Sequence, residues 1–183
     1  MFSQLPNFLT LLRIVMVPVV IVLLYQREYS YALFIFTLAG VTDGLDGWIA
    51  KRYRLQSALG AMLDPIADKL LLVSTYAMLA MLGDIPFWLL VLVLFRDLLI
   101  VGGYWILVAM DRKADIAPIW VSKFNTFFQI LLVVLVLIDR SGWVVLNGLI
   151  SATVVVVVVT SISSGYAYVR TGMRQVSGDH SST

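Results

Sequence analysis

The chain has 183 residues, the length of a single domain, and 61% of them are hydrophobic whereas only 13% are charged. A soluble protein carries roughly 25% charged residues, so the composition predicts a helical protein that crosses a membrane several times. The chain contains no cysteine, which excludes disulfides, thiolate nucleophiles and zinc–sulfur sites. The net charge of +2 is modest, and no basic run is typical of a nucleic-acid-binding patch.

Apolar runs predict an all-α polytopic membrane protein with six transmembrane helices, each of about 20 residues. A short amphipathic segment, residues 1–10, is expected to lie in the membrane interface ahead of the first helix. Residues 171–183 are expected to form a polar tail, of which residues 176–183 are expected to be disordered. Because the connections are short, residues 1–183 are expected to form one membrane domain. The helices are predicted at residues 11–26, 29–50, 58–82, 86–109, 118–138 and 143–169.

The basic residues of the connections predict the orientation of the helices in the membrane. On one side the connections hold only Arg27 and Arg140. The other side is therefore predicted to be cytoplasmic and to carry both termini. Because neither a cleavable signal nor a transit peptide is evident ahead of the first helix, a bacterial inner membrane is expected. The basic residues on the cytoplasmic side are Lys51, Arg52, Arg54, Arg112, Lys113, Arg170 and Arg174.

Four of the eleven acidic residues lie close together in the stretch 41–72, beside or inside apolar helical sequence. Asp43 and Asp46 are three residues apart near the end of the second predicted helix, and Asp64 and Asp68 are four apart near the start of the third. Residues at these spacings share one face of a helix. The short connection makes the two helices antiparallel neighbours, so the four carboxylates are expected to converge at one depth near the cytoplasmic surface.

Four neighbouring carboxylates repel one another strongly in a medium of low dielectric, so either some are protonated or cations lie among them. Oxygen ligands favour a hard divalent ion such as Mg²⁺ or Mn²⁺, and two such ions would match the charge. Two-metal sites typically act on phosphates. The alternative is that the acids cap helix ends or pair with basic residues nearby. That alternative accounts for a single acid better than for all four, since intramembrane acids are usually functional.

The small residues Gly47, Ala50 and Gly60 lie at helical spacing from these acids. They would let a ligand approach the backbone closely, although small residues also serve helix packing. The only histidine, His180, lies in the polar tail, so no histidine is available as an intramembrane base.

The pattern Asp43-x2-Asp46-Gly47-x2-Ala50-Lys51-x8-Gly60-x3-Asp64-x3-Asp68 resembles the signature of the CDP-alcohol phosphotransferase family. The family has Arg where this chain has Lys51, and Arg52 follows directly. Family members transfer a substituted phosphate from a CDP-linked donor to an alcohol and release CMP.

The resemblance implies a role for each residue of the pattern. Asp43, Asp46, Asp64 and Asp68 would hold two divalent cations, and Asp68 would also be the general base on the acceptor hydroxyl. The cytidine diphosphate pocket would be lined by Asp43, Gly47, Ala50, Lys51, Ser57 and Gly60. The resemblance also implies a homodimer.

The acceptor is predicted from the flanking sequence. The opening Pro6-Asn7-x-Leu9-Thr10-x2-Arg13 is similar to phosphatidylglycerophosphate synthases and to cardiolipin synthases of the CDP-alcohol type, which both use CDP-diacylglycerol. Three segments, 95–103, 118–130 and 164–172, look like the mitochondrial type of cardiolipin synthase. After Arg96 and Asp97 the fourth helix has no further cation, which favours phosphatidylglycerol over the more anionic glycerol 3-phosphate. The predicted products are cardiolipin and CMP; the alternative is a phosphatidylglycerophosphate synthase, and a distant alternative is an ion transporter with an acidic site.

Six polar residues are candidates for binding lipid phosphate or the acceptor, and most have a structural alternative. Arg96 either binds a phosphodiester or forms a buried pair with Asp97. Lys123 and Arg13 either bind phosphate or anchor the chain by snorkelling to the interface. Asn125 either binds a head group or joins helices. The six candidates are Asn7, Arg13, Arg52, Arg96, Lys123 and Asn125.

Overall fold

The computed structural model describes the backbone of residues 5–53, 58–109 and 120–177, and the side chains of residues 12–42, 69–103 and 120–170. All six predicted helices are present in the described residues. They are α1 Leu5–Tyr25, α2 Tyr29–Tyr53, α3 Ala58–Leu82, α4 Phe87–Ala109, α5 Trp120–Arg140 and α6 Asn147–Ser177.

Two predicted boundaries differ from the structure. Helix α1 begins at Leu5 and continues to Tyr25, so residues 5–10 are not a segment separate from the first helix. Pro6 permits this because a helix tolerates proline in its first turn, where the missing N–H has no intrahelical partner. Helix α6 extends to Ser177, seven residues into the predicted tail, where Met, Arg and Gln favour continued helix.

Two helices are long and apolar enough to cross a membrane, judged on the described residues alone: Trp120–Arg140 and Asn147–Arg170. Helices α1, α2 and α3 contribute shorter apolar stretches, Leu12–Tyr25, Tyr29–Thr42 and Lys69–Leu82. The all-helical prediction is thus confirmed for the described residues, whereas six transmembrane helices are not confirmed. The stretches in α2 and α3 stop on either side of residues 43–68, whose side chains lie outside the described part.

The described helices group into two compact units, and the prediction of one membrane domain stays a prediction. The first unit comprises Met1–Pro86 and Val133–Asn147. In it α1 packs against both α2 and α3. The buried face of α1 recurs at intervals of three and four residues, as expected for one helix face, and it consists of Arg13, Val17, Val20 and Leu24.

Asp84 joins three segments of the first unit. It follows Gly83, whose φ of 81° ends α3 in the left-handed region that glycine favours. The Asp84 carboxylate accepts a hydrogen bond from the Tyr29 hydroxyl at 2.9 Å and forms an ion pair with Arg140 Nε at 2.8 Å. Its side chain is only 6% exposed, so these contacts tie the start of α2 and the end of α5 to the turn after α3.

The second unit comprises Phe87–Leu132 and Gly148–Thr183, and buried polar side chains connect its helices. Arg96 on α4 forms an ion pair with Asp97 at 2.6 Å and donates hydrogen bonds to Ser164 Oγ on α6 at 3.0 Å and to Ser122 Oγ on α5. One turn along α5, the Asn125 amide contacts hydroxyl groups of α6. We call this set the polar seam, which consists of Arg96, Asp97, Ser122, Asn125, Thr160, Ser161 and Ser164.

The Arg96–Asp97 pair predicts a large stability loss on substitution. Both side chains are nearly buried, at 4% and 9% exposure. Arg96→Gln leaves the Asp97 carboxylate without its nearest cation, and we expect the free energy of unfolding in detergent to fall by about 3–5 kcal/mol. Lys123→Gln is the control, because Lys123 is exposed and contacts only the Trp120 ring at 5.1 Å among its described contacts. Equal stability of the two variants would contradict the role of the pair.

A second stability prediction concerns Asp84. Asp84→Ala removes the acceptor for Tyr29 and the partner of Arg140, and we expect the free energy of unfolding to fall by about 1–3 kcal/mol. Tyr29→Phe removes a single hydrogen bond, so its cost should be smaller, at about 0.5–1.5 kcal/mol. Denaturant unfolding of both variants in the same detergent measures the difference. If Asp84→Ala unfolded at the same denaturant concentration as the wild-type protein, other contacts would hold the three segments together.

Candidate active site and acceptor-binding residues

The backbone of α2 carries the first pair of predicted metal ligands. The helix continues to Tyr53, so Asp43 and Asp46 occupy positions three apart on one continuous helix and share a face. Gly47, Ala50, Lys51 and Arg52 follow in the same helix. The side chains of all six residues lie outside the described part of the chain, and their expected ligand contacts stay predictions.

Helix α3 carries the second pair. It begins at Ala58, so Gly60, Asp64 and Asp68 recur every four residues along one face. Their side chains also lie outside the described residues, and so does Ser57 altogether. Because α2 and α3 both pack against α1, the two faces that carry the acids belong to helices of one compact unit.

The donor chemistry of these four positions fits a divalent cation. Aspartate oxygens are the ligands that Mg²⁺ and Mn²⁺ prefer. Elsewhere, among the side chains that the structure describes, no group of three or more His, Asp or Glu residues could hold a metal ion. The described residues therefore contain no second candidate metal site of this kind.

Arg13 is buried within the first unit. Its side chain is among the largest fully buried ones in the described residues, with 2% exposure. The alternative that Arg13 snorkels to the interface is therefore wrong, because snorkelling keeps the guanidinium in water. Asn7 lies in α1, but its side chain lies outside the described residues.

Arg96 forms the buried pair that the sequence offered as the alternative to phosphate binding. Three of the five N–H donors of a guanidinium are engaged, one each with Asp97, Ser122 and Ser164. A cation paired in this way contributes less charge to an anionic ligand than a free one, since Asp97 neutralises it.

Lys123 has the surroundings expected of an interfacial anchor. Its ammonium group lies 5.1 Å from the ring centroid of Trp120, and Trp120 is 74% exposed. A cation over an exposed indole at a helix end is typical of the membrane interface. The snorkelling interpretation of Lys123 therefore agrees with the structure better than a buried phosphate site does.

Asn125 is fully buried, with 0% exposure. Its Oδ1 lies 2.8 Å from Thr160 Oγ1 and accepts a hydrogen bond from Ser161 Oγ at 3.0 Å. The prediction that Asn125 joins helices is confirmed for this oxygen. The amide nitrogen Nδ2 has no hydrogen-bond partner, and a buried donor left in this state costs about 1–3 kcal/mol.

Sequence reasoning missed the hydroxyl residues of the polar seam. Ser122 on α5 and Thr160, Ser161 and Ser164 on α6 supply every side-chain partner of Arg96 and Asn125 other than Asp97. The signal was present in the sequence, because small hydroxyl residues recur at intervals of three and four in an otherwise apolar helix. Such residues join helices inside membranes.

The chain is similar to a family model and to several proteins named as enzymes of phospholipid synthesis. The family model for CDP-alcohol phosphatidyltransferases matches residues 3–162. A "Probable phosphatidylglycerophosphate synthase" of Mycobacterium tuberculosis is 36% identical over 187 residues, covering 96% of this chain and 85% of that protein. A CDP-diacylglycerol–glycerol-3-phosphate 3-phosphatidyltransferase of Blochmanniella floridana is 34% identical over 81% of this chain and 80% of its own length. The human cardiolipin synthase (CMP-forming) is 35% identical over 70% of this chain and 48% of its own length.

These matches confirm the resemblance that the aspartate pattern indicated. The matched residues include α2 and α3 with all four aspartates, as well as the described polar seam up to Ser161. Enzymes of this family use divalent metals and act on CDP-linked lipid substrates. The chain is therefore a membrane transferase of phospholipid biosynthesis that belongs to the CDP-alcohol phosphatidyltransferase family.

Proposed function

We propose that the protein transfers a phosphatidyl group from CDP-diacylglycerol to glycerol 3-phosphate, forming phosphatidylglycerophosphate and CMP. The observation that carries this proposal is the similarity to proteins named for that reaction, which extends over at least four fifths of the chain in M. tuberculosis and B. floridana. The acceptor that the sequence favoured, phosphatidylglycerol, takes second place because the relative named cardiolipin synthase (CMP-forming) aligns over a smaller part of this chain.

The proposed general base is the carboxylate of Asp68. Its carboxylate takes the proton of the acceptor hydroxyl while that oxygen attacks the phosphorus that carries diacylglycerol. The new bond joins the acceptor oxygen to this phosphorus, and the bond from phosphorus to the bridging oxygen breaks, so CMP leaves with that oxygen. No covalent bond to the protein forms, which agrees with a chain that has no cysteine.

Asp43, Asp46, Asp64 and Asp68 would hold the divalent metal, and we propose two ions of Mg²⁺ or Mn²⁺. When bound, the metal neutralises charge on the pyrophosphate and stabilises the leaving oxygen. Five further residues would bind the cytidine diphosphate moiety together with Asp43, with the small ones permitting close approach. These are Gly47, Ala50, Lys51, Ser57 and Gly60. The bacterial inner membrane, a site on the cytoplasmic side and a homodimer stay predictions.

A second acceptor, phosphatidylglycerol, is favoured by the charge of α4. Glycerol 3-phosphate carries a phosphate monoester with nearly two negative charges, whereas phosphatidylglycerol carries a diester with one. Arg96 is paired with Asp97, and the rest of α4 after Asp97 has no cation. An acceptor of lower charge therefore suits this helix, and the product would be cardiolipin.

An acceptor assay separates the two candidates. Purified protein receives labelled CDP-diacylglycerol, Mg²⁺ or Mn²⁺, and either glycerol 3-phosphate or phosphatidylglycerol, and the lipid product is identified. We expect phosphatidylglycerophosphate from glycerol 3-phosphate, and no product after chelation of the metal with EDTA. Cardiolipin formed only with phosphatidylglycerol would establish the second candidate. No product with either acceptor in active detergent–lipid mixtures would refute both.

A matched pair of substitutions tests the role of Asp68. We expect Asp68→Asn to lower kcat by at least about 100-fold, since loss of a general base typically costs that much. Asp84→Asn makes the same chemical change at an acid that pairs with Tyr29 and Arg140, and it should keep near-normal turnover. Both variants are first shown to be folded and inserted. Near-normal turnover in Asp68→Asn would exclude it as the base.

A further inference from the structure

In the side-chain amide of Asn125, in the second unit, the oxygen has hydrogen-bond partners and the nitrogen has none. Asn125 is 0% exposed, and its Oδ1 faces the hydroxyls of Thr160 and Ser161 at 2.8 and 3.0 Å. Its Nδ2 donor has no hydrogen-bond partner. A polar donor in an apolar interior needs a hydrogen-bond partner, because no bulk water is present there to supply one.

One terminal atom of the Asn125 amide has hydrogen-bond partners and the other has none, whichever of the two is assigned as nitrogen. Serine and threonine hydroxyls both donate and accept, and Thr160 Oγ1 also has the carbonyl oxygen of Val156 at 2.7 Å as an acceptor. If the amide were turned over, its nitrogen would donate to the hydroxyls and its oxygen would be the unengaged end. The hydroxyls favour the first arrangement, because Ser161 then donates to Oδ1.

Arg96 and Ser164, two other polar residues of the seam, form their hydrogen bonds with groups other than this amide. The Arg96 guanidinium donates to Asp97, Ser122 and Ser164. The Ser164 hydroxyl donates to the backbone carbonyl of Ser161 at 3.0 Å. An apolar side chain of similar size would pack at position 125 without a desolvation penalty, so the amide nitrogen suggests an external partner.

We propose that Asn125 determines acceptor binding, with Nδ2 donating a hydrogen bond to a hydroxyl or phosphoryl oxygen of a phosphoglycerol group. This inference rests on the proposed function, since glycerol 3-phosphate and phosphatidylglycerol both contain that group. A neutral amide can orient the acceptor through a hydrogen bond without adding charge. The cation on α4, Arg96, is already paired with Asp97. Thr160 and Ser161 are positioning residues that hold Oδ1 and thereby orient Nδ2.

Three variants separate binding from helix joining. Asn125→Ala removes both ends of the amide, and Ser161→Ala removes one hydroxyl on the Oδ1 side while Nδ2 stays. Thr126→Val is the neighbouring control on α5, because its hydroxyl bonds within the helix to the Ser122 carbonyl at 3.2 Å. We expect Asn125→Ala to raise the KM for the accepted substrate about tenfold, the effect of one hydrogen bond, with the KM for CDP-diacylglycerol unchanged. Ser161→Ala should lower Tm with a smaller effect on the acceptor KM, and Thr126→Val should change neither KM.

A binding measurement keeps this test independent of turnover. Wild type and Asn125→Ala are heated in detergent with and without glycerol 3-phosphate or short-chain phosphatidylglycerol, and the ligand-induced rise in Tm is compared. A smaller rise in the variant supports the proposal, and the ligand that produces it identifies the source of the phosphoglycerol group. An equal rise in both proteins would overturn it, and so would an acceptor KM that Ser161→Ala raises as much as Asn125→Ala does. Wild-type protein that binds a ligand but forms no product refutes the proposed function, while the Tm comparison still decides the role of Asn125.

Discussion

The structure depends on the constraint that a charge or polar group in an apolar interior needs a partner. The second unit meets it with residues of three helices, since Arg96 on α4 engages Asp97, Ser122 and Ser164. The first unit meets it at the turn after α3, where Asp84 holds Tyr29 and Arg140. In both units the charged groups are therefore also the contacts that hold separate helices together.

We propose that the four aspartates of α2 and α3 meet the same constraint with a different kind of partner, a divalent cation. The nearby basic residues Lys51, Arg52, Arg54 and Lys69 equal the aspartates in number. Divalent ions, however, also match the ligand preference of clustered carboxylates and can act on a bound phosphate. The family to which the chain belongs uses such ions. The charge that would destabilise an ordinary membrane helix thus becomes the metal site of a phosphatidyltransferase, as we propose.

Two observations favour different acceptors. The relatives named for glycerol 3-phosphate favour one acceptor, and the paired state of Arg96 favours another of lower charge. Lys123 does not resolve the matter, because its ammonium group lies over the exposed Trp120 ring. The amide of Asn125 suits either acceptor, since a hydrogen bond to a hydroxyl or phosphoryl oxygen requires no charge on the protein.

Hydropathy and spacing in the sequence predicted the six helices and their approximate bounds, whereas the reaction class was predicted from the resemblance of the aspartate pattern to a known family. Asp43, Asp46, Asp64 and Asp68 could be recognised because a local helical repeat puts them on shared faces, and the structure has continuous helices at those positions. The partners of Arg13, Arg96 and Asn125 could not be predicted in this way. Arg13 was open to snorkelling until its burial was known, and Arg96 engages a serine 68 positions away. Local spacing determines which residues share a helix face, whereas only tertiary packing decides which faces meet and which polar atom is left without a partner.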